Sequence, residues 1–127
     1  MKETYKSYLK EISAFIPRER IYTDEMRRLA WGTDASFYRL VPQIVVRSKT
    51  EEEVSRLLSA ARRRRLPVTF RAAGTSLSGQ SLSDSILIVA GKNWENYKIS
   101  ADAETITMQP GIIGERVNQL LKPFGRI

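Results

Sequence analysis

The sequence predicts an α+β fold with interleaved helices and strands, in which N-terminal helices precede a subdomain built on a βαβ unit. Two observations favour this fold: apolar residues recur at helical spacing in two stretches, and short β-branched runs flank the second stretch. The chain has 127 residues, of which 42% are apolar and 28% are charged. These values are typical of one globular domain or part of one.

The amino-terminal segment is predicted to contain two helices. The first is indicated by apolar residues at helical spacing up to Pro17, namely Tyr5, Tyr8, Leu9, Ile12, Phe15 and Ile16. The second, shorter helix is predicted to start after Asp24, because aspartate caps helix N-termini well. A loop rich in turn formers and aromatic residues follows at residues 31–38 and is expected to be ordered.

Residues 44–70 are predicted to form the βαβ unit. The run 44–46 indicates a buried strand, and Thr50 followed by Glu53 is a capping box that starts a helix over 51–64. A second strand is predicted at 68–70, after Pro67 has ended the helix. The crossover is expected to be right-handed and its strands parallel. The apolar stripe expected to face the core comprises Val54, Leu57, Leu58 and Ala61.

The remainder of the chain predicts a third strand at 86–89 and a pair of strands near 97–100 and 105–109. Pro110 and Gly111 indicate a sharp turn. A last helix is predicted over 113–121, ended by Pro123 and Gly125. Its apolar residues Leu120, Leu121 and Phe124 are expected to be exposed and to favour self-association.

The most informative segment is the loop at residues 71–81, which follows the second predicted strand directly. Gly74 and Gly79 can adopt positive φ at no steric cost, which turns successive backbone N–H groups toward one point. Such a concavity binds oxyanions, and the hydroxyls of Thr75, Ser76 and Ser78 add further donors. The loop therefore predicts a cradle for a phosphate or pyrophosphate. A surface turn made of residues that favour turns is the alternative.

Several other chemistries are excluded or disfavoured. The loop differs from a P-loop because Gln80 stands in place of the lysine and the following residues lead into a strand. The Gly-x-Gly-x-x-Gly fingerprint of dinucleotide-binding Rossmann domains does not occur. The chain has no cysteine and no histidine, so it contains no disulfide, no thiolate nucleophile and no metal site made of those residues.

Residues 67–80 resemble the pyrophosphate-binding loop of the FAD-linked oxidases, whose flavin domain is the type found in vanillyl-alcohol oxidase and p-cresol methylhydroxylase. The resemblance is closest to the branch of D-lactate dehydrogenases and glycolate oxidase flavin subunits. Residues 33–38, the strand and helix start at 42–54, and the Gln-Pro-Gly turn at 109–111 are also similar to that branch. Many members have glycine where Ala72 and Ala73 stand, so the backbone approach to a ligand is slightly tighter here.

The resemblance implies an N-terminal fragment of a flavin-dependent oxidoreductase with FAD as cofactor. Residues 1–40 are interpreted as a helical segment with an aromatic loop, 41–109 as the first FAD-binding subdomain, and 110–127 as the start of a second, incomplete one. The implied substrate is a 2-hydroxy acid such as D-lactate or glycolate, bound by a region outside this chain. An iron–sulfur cluster is implied only for such an outside region. No catalytic residue and no metal ligand is assigned, and the fragment alone is expected to be inactive.

The cofactor-binding residues that the resemblance implies lie in two turns. Backbone N–H groups of the first turn are expected to hold the phosphates, with the hydroxyls of Thr75 and Ser76 assisting, while two roles stay open for Arg71: adding charge or fixing the loop. The complete set is Arg71, Ala72, Ala73, Gly74, Thr75, Ser76, Leu77, Ser78, Gly79, Gln80, Pro110 and Gly111.

A net charge of +7 and the arginine run at 62–65 favour an anionic partner and leave an alternative function, a small basic nucleic-acid-binding module. The run is interpreted as the solvated last turn of its helix, where cations complement the helix dipole. The sequence predicts neither a membrane span nor a signal peptide, and a cytoplasmic location is expected. Packing in the core or at a subdomain interface, rather than a ligand platform, is the role expected for the aromatic residues Trp31, Phe37, Tyr38, Trp94 and Tyr97.

Overall fold

A computed structural model describes residues 1–127 and places four strands in one mixed sheet. These strands are β1 (Ile21–Tyr22), β2 (Ile44–Arg47), β3 (Val68–Arg71) and β4 (Ile86–Val89), and they lie in the order β1-β2-β4-β3. Strand β4 is parallel to both β2 and β3, whereas β1 is antiparallel to β2. The predicted α+β class is confirmed.

The βαβ unit is present with one strand inserted into it. Helix α3 (Glu51–Arg63) connects β2 to β3, and these strands run in the same direction as predicted, but β4 lies between them. The register pairs Arg47 and Arg71 with Val89, so the carboxyl ends of three strands meet at one edge of the sheet. The loops that follow β3 and β4 therefore start side by side.

The main core lies between the sheet and two helices. Helix α1 (Glu3–Ile12) contributes Tyr8 and Ile12, and α3 contributes Leu57, all of them fully buried. The opposite face of the sheet is covered less extensively, with Val45 and Leu87 packed against half-buried aromatic residues. Burial on both faces explains why the central strands are continuously apolar rather than alternating. None of the helices has both the length and the apolar character needed to cross a membrane.

The helix starts follow the capping predictions. Helix α2 (Glu25–Ala30) begins after Asp24, whose carboxylate accepts a hydrogen bond from the Arg27 N–H. At α3 the Thr50 hydroxyl accepts from the Glu53 N–H, and the Glu53 carboxylate accepts from the Lys49 N–H at 2.8 Å. Both carboxylate oxygens of Glu53 also accept hydrogen bonds from the guanidinium of Arg20, at 2.7 and 2.9 Å. This bidentate bond lowers the pKa of Glu53.

Two details of the predicted helices are wrong. Helix α1 ends at Ile12, and Ile16 reaches the core from the turn that follows it. In α3 the buried stripe consists of Leu57, Ala60 and Ala61, whereas Leu58 is 38% exposed. Successive residues of a helix are about 100° apart, so Leu58 lies well away from the stripe that Leu57 and Ala61 share.

The arginine run joins two helices instead of being fully solvated. Arg63 and Arg64 both bind the carboxylate of Glu11 on α1, and Arg64 also donates to the Ser7 hydroxyl. Hydrogen bonds from Arg63, and then from Arg64, lower the pKa of Glu11 despite the opposing effect of desolvation. The two arginines therefore hold the end of α3 against α1.

The carboxyl-terminal part contains a hairpin and a short helix, as predicted. Strands β5 (Tyr97–Ile99) and β6 (Ile106–Met108) pair antiparallel, and α4 (Gly114–Leu121) continues into a 3-10 turn at Lys122–Phe124. Leu121 is buried rather than exposed, because the chain folds back and the Arg126 N–H bonds its carbonyl. Leu120 is half-buried and Phe124 is exposed. The self-association expected from this region stays a prediction.

The five aromatic residues expected to pack divide into two groups. Trp94 is buried, and its indole N–H donates to the carbonyl and hydroxyl of Ser48. Trp31 is half-buried beside the second core cluster. The other three, Phe37, Tyr38 and Tyr97, are exposed, so they do not belong to the core of this chain, and packing at a subdomain interface stays a prediction for them.

Candidate functional site

The connection from β3 to β4, residues 72–85, leaves the sheet at the carboxyl edge, and the loop at 71–81 forms its first part. The carbonyl of Arg71 accepts a hydrogen bond of 2.8 Å from the Ala90 N–H, which ties the start of the loop to the segment after β4. Ligands of open α/β sheets bind outside the carboxyl ends of the strands. The loop singled out by the sequence therefore lies where the fold offers a site.

The backbone of the loop has the conformation that the two glycines predict. Gly74 has a φ of +72° and Gly79 a φ of +75°, both in the left-handed region. The N–H groups of residues 72–77 and of Gly79 have no acceptor within the protein. Because the loop is at least partly exposed, these N–H groups are accessible from outside the protein. This part of the loop thus presents consecutive donors to an external acceptor.

The hydroxyl of Ser76 stabilises the loop from inside. It accepts hydrogen bonds from the N–H groups of Ser78 (3.3 Å) and Gln80 (3.2 Å), and it donates to the side-chain oxygen of Gln80. The hydroxyl of Thr75 has no partner in the protein, and this side chain is exposed. Of the two hydroxyls predicted to assist a ligand, only that of Thr75 is free of internal bonds.

The side chain of Arg71 fixes the first half of the loop. Its guanidinium donates to the carbonyl oxygens of Thr33 (2.6 Å) and Trp31 (3.4 Å) and lies over the Trp31 ring. Its Nε is buried without a partner. Burial lowers the pKa of Arg71, and the charge of Asp34 opposes that change. Of the two roles left open by the sequence, the geometry supports fixing the loop.

The second half of the loop contacts the segment at residues 33–38. The carboxylate of Asp34 accepts a 3.0 Å hydrogen bond from the buried hydroxyl of Ser81. Its other oxygen accepts from the N–H and the hydroxyl of Ser36, and these bonds, together with that from Ser81, lower the pKa of Asp34. The ring of Tyr38 packs on Gly79, where an added β-carbon would lie 3.1 Å from it.

These partners were not singled out as site residues from the sequence. The pair Asp34 and Ser36 has the spacing of an Asx turn, which indicates local structure only. The contact between Asp34 and Ser81 has no signature in the sequence, because the two residues meet only when the chain has folded.

The turn at Pro110 and Gly111 lies beside the same edge of the sheet. The Gly111 N–H donates to the Trp94 carbonyl at 2.8 Å, and a β-carbon on Gly111 would lie 2.7 Å from that oxygen and closer still to Gly91. Gly91 follows Ala90, whose N–H bonds Arg71. The two predicted ligand-binding turns are thus joined through residues 90–94.

Cleft volume does not identify this site. A cleft of about 450 Å³ lies beside α1 and α2 and includes no residue of the loop. A smaller one of about 280 Å³ lies between the loop and the preceding segment, lined by Tyr38, Arg39, Leu40, Ser78, Gly79 and Leu82. The free N–H groups favour the loop, because a run of donors left unused within the protein is available to an anionic ligand.

The sheet and the loop together present free N–H donors at the carboxyl ends of the strands, an arrangement that suits an anionic ligand. Residues 42–127 match a family described as FAD binding domain. The match covers most of the chain, and the chain therefore belongs to this family. The alternative of a nucleic-acid-binding module receives no support from the comparisons.

Two groups of curated relatives are similar to the chain. It is 29% identical over 125 residues to a D-2-hydroxyglutarate dehydrogenase of Pseudomonas putida, a match that covers 95% of this chain and 12% of that protein. It is 33% identical over 108 residues to glycolate oxidase subunit GlcD of Escherichia coli, covering 83% of this chain and 21% of that protein. The chain thus spans only a small share of the relatives' length.

Solved structures confirm the predicted flavin-domain fold. A p-cresol methylhydroxylase with substrate bound superposes with a TM-score of 0.82 and 10% identity, over 98% of this chain and 26% of that one. An alkyldihydroxyacetonephosphate synthase superposes with a TM-score of 0.79 and 19% identity, over 95% and 25% respectively. At these identities the likeness shows the fold alone.

The residues present fit FAD, the cofactor of this family. The diphosphate of FAD is an anion with many acceptor oxygens, and the loop at 71–81 offers free N–H donors, small side chains and no acidic residue. The guanidinium of Arg71 adds a positive charge beside Gly74. Donor set and charge therefore both suit a diphosphate.

Proposed function

We propose that this chain holds the FAD of an oxidoreductase that oxidises a 2-hydroxy acid. The observation that carries the proposal is the run of N–H groups at residues 72–77 without internal acceptors, on a loop at the carboxyl edge of the sheet. The names of the relatives support the substrate class, since glycolate and D-2-hydroxyglutarate are both 2-hydroxy acids. The particular acid is left to experiment.

The chain's own part in this function is to bind and orient the cofactor. The N–H groups of Ala73, Gly74, Thr75, Ser76 and Gly79 would donate to the diphosphate, with the Thr75 hydroxyl assisting. Hydrogen bonds to a charged acceptor contribute about 1.5–3 kcal/mol each. Several such bonds from a loop that is already fixed give a strong site at little entropic cost.

When bound, FAD would supply the redox chemistry, as the acceptor of a hydride from the substrate carbon. No residue of this chain is assigned to abstract a proton or to bind the acid. Within the proposal, the segment 1–40 supports the loop, and the first FAD-binding subdomain, 41–109, contains it. The second FAD-binding subdomain begins at 110–127, with the turn at Gly111. The tight contact of Gly111 with Trp94 supports a fixed position for that turn.

The proposal is tested by titrating FAD, ADP and riboflavin into the ¹⁵N-labelled chain and following its amide signals. FAD and ADP are expected to shift the signals of residues 72–79, and riboflavin, which has no phosphate, is expected to leave them unchanged. Nuclear magnetic resonance detects millimolar affinities, so the test holds even for a weak site. Shifts confined to other residues would contradict the proposal.

Gly74→Val and Gly125→Val form a matched pair for this titration. Both glycines have positive φ, at +72° and +68°, but nothing lies within 4 Å of a β-carbon on Gly125. Gly74→Val is expected to weaken FAD binding at least tenfold, whereas Gly125→Val leaves it unchanged. Equal affinities for the two variants would remove the loop from the site.

A further inference from the structure

Both ends of the loop at residues 71–81 are held by one short segment that lies between α2 and β2. At the start of the loop, Arg71 donates to the Thr33 carbonyl. At its end, the Ser81 hydroxyl donates to the Asp34 carboxylate. Between these points Tyr38 packs on Gly79. Residues 33–38 therefore form a brace across the loop, and we use the name brace for this segment.

Asp34 occupies the centre of the brace. One of its oxygens accepts from the N–H of Ser36 at 2.8 Å and from the Ser36 hydroxyl, which in turn accepts from the Tyr38 N–H. The other oxygen accepts from Ser81 at 3.0 Å. A single carboxylate thus sets the shape of the brace and joins it to the loop. Asp34 is also the one acidic residue whose charge opposes the lowering of the pKa of Arg71 by burial.

A carboxylate near a diphosphate site needs an explanation, because like charges repel. The carboxylate of Asp34 accepts hydrogen bonds from Ser36 and Ser81. Its negative charge also favours the charged form of Arg71. If its charge dominated, removing it would strengthen FAD binding; if its hydrogen bonds dominate, removing it loosens the loop and weakens binding. The two cases predict opposite signs.

We infer that Asp34 is a positioning residue for FAD, which acts through its hydrogen bond with Ser81 to hold the loop's N–H groups ready for the diphosphate. The inference rests on the proposed function of the loop. We expect removal of the Asp34 carboxylate to weaken FAD binding, because its hydrogen bonds outweigh a charge repulsion that solvent screens.

The test compares Asp34→Asn, Ser81→Ala and the double variant by their FAD dissociation constants. Asparagine keeps the shape of aspartate but cannot accept at both oxygens. Each single variant is expected to weaken FAD binding about tenfold, the effect of losing one bond to a charged group, and the double variant is expected to be no weaker than Asp34→Asn. Unchanged or stronger binding by Asp34→Asn would overturn the inference, as would additive effects in the double variant.

Asp24→Asn is the matched control. It makes the same chemical change in the same N-terminal part of the chain, at a helix cap where asparagine serves as well as aspartate. Asp24→Asn is expected to leave FAD affinity unchanged. If Asp34 were merely structural, Asp34→Asn would lower the urea midpoint of unfolding and leave the affinity of the folded protein unchanged.

A measurement without FAD separates this inference from the proposed function. The ¹⁵N order parameters of residues 72–80 are expected to fall in Asp34→Asn and Ser81→Ala but not in Asp24→Asn. If the wild-type chain bound no FAD, the proposed function would fail while these order parameters still reported on Asp34. Unchanged order parameters in Asp34→Asn would overturn the positioning role by themselves.

Discussion

The side chain of Arg71 occupies the space beside Gly74 that a β-carbon would need, at 2.6 Å from its Nε. The guanidinium reaches past the glycine to the carbonyls of Thr33 and Trp31. The absence of a side chain at residue 74 thus serves two purposes: it permits a positive φ and it leaves room for the arginine that fixes the loop.

Gly74→Ala is expected to lower the free energy of unfolding by more than Gly125→Ala does. Both changes place alanine at positive φ, which costs about 1–2 kcal/mol. Only residue 74 also meets a packed side chain, since nothing lies near Gly125. Urea unfolding of the two variants measures the difference, and equal losses would show that Arg71 moves aside freely.

Arg71→Lys is expected to weaken FAD binding and to lower stability by about 1–2 kcal/mol, because an ammonium cannot stack over the Trp31 ring as the planar guanidinium does. Calorimetric titration with FAD and urea unfolding check the two effects. Arg65→Lys, at an exposed arginine, is the control and should change neither. An unchanged FAD affinity of Arg71→Lys would mean that a positive charge at residue 71 suffices for binding.

Gly111→Ala is expected to destabilise the protein by about 2 kcal/mol or more, since its β-carbon would meet the backbone carbonyls of Trp94 and Gly91. Gly114→Ala has open space around it in the first turn of α4 and should be neutral or slightly stabilising. Thermal unfolding distinguishes them. A neutral Gly111→Ala would show that the turn is free to shift.

Stability is expected to fall at alkaline pH because of Tyr8. Burial raises the pKa of this phenol above its ordinary value of 10.0, while its hydroxyl donates to the Leu57 carbonyl. A raised pKa contributes stability below about pH 10 that is lost as the pH rises further, since the unfolded chain ionises first. Urea midpoints from pH 8 to 11 should decline in the wild type and decline less in Tyr8→Phe.

Stability is also expected to fall in acid. Hydrogen bonds from Arg20 lower the pKa of Glu53 below its ordinary value of 4.5. A lowered pKa contributes stability that is present above about pH 4.5 and lost as the pH falls through the folded-state value. Glu53→Gln should show a smaller decline between pH 5 and 3. An identical decline would mean that other carboxylates account for the acid sensitivity.

Local features could be predicted from the sequence because they depend on near neighbours. The caps at Asp24 and Thr50, the strands, and the positive φ at Gly74 and Gly79 follow from residue type and spacing. The loop at 71–81 was singled out in the same way, since its small residues follow directly on a strand, and its role in holding a diphosphate stays a prediction.

Features that join distant parts of the chain could not be predicted. The insertion of β4 between β2 and β3 depends on sheet order, which strand propensity does not specify. The bond from Ser81 to Asp34 joins residues 47 positions apart, and the binding of Glu11 by Arg64 spans 53. A serine or an arginine is expected to be solvent-exposed from sequence alone, because its hydrogen-bonding partner is not evident there.

The measurement that tests the account most directly is the FAD titration followed through the amide signals of residues 72–79. The account predicts that FAD and ADP move these signals, that riboflavin does not, and that Gly74→Val suppresses the movement while Gly125→Val preserves it. Binding of FAD with these signals unmoved, or with riboflavin as effective as FAD, would contradict the claim that the loop's backbone holds the diphosphate.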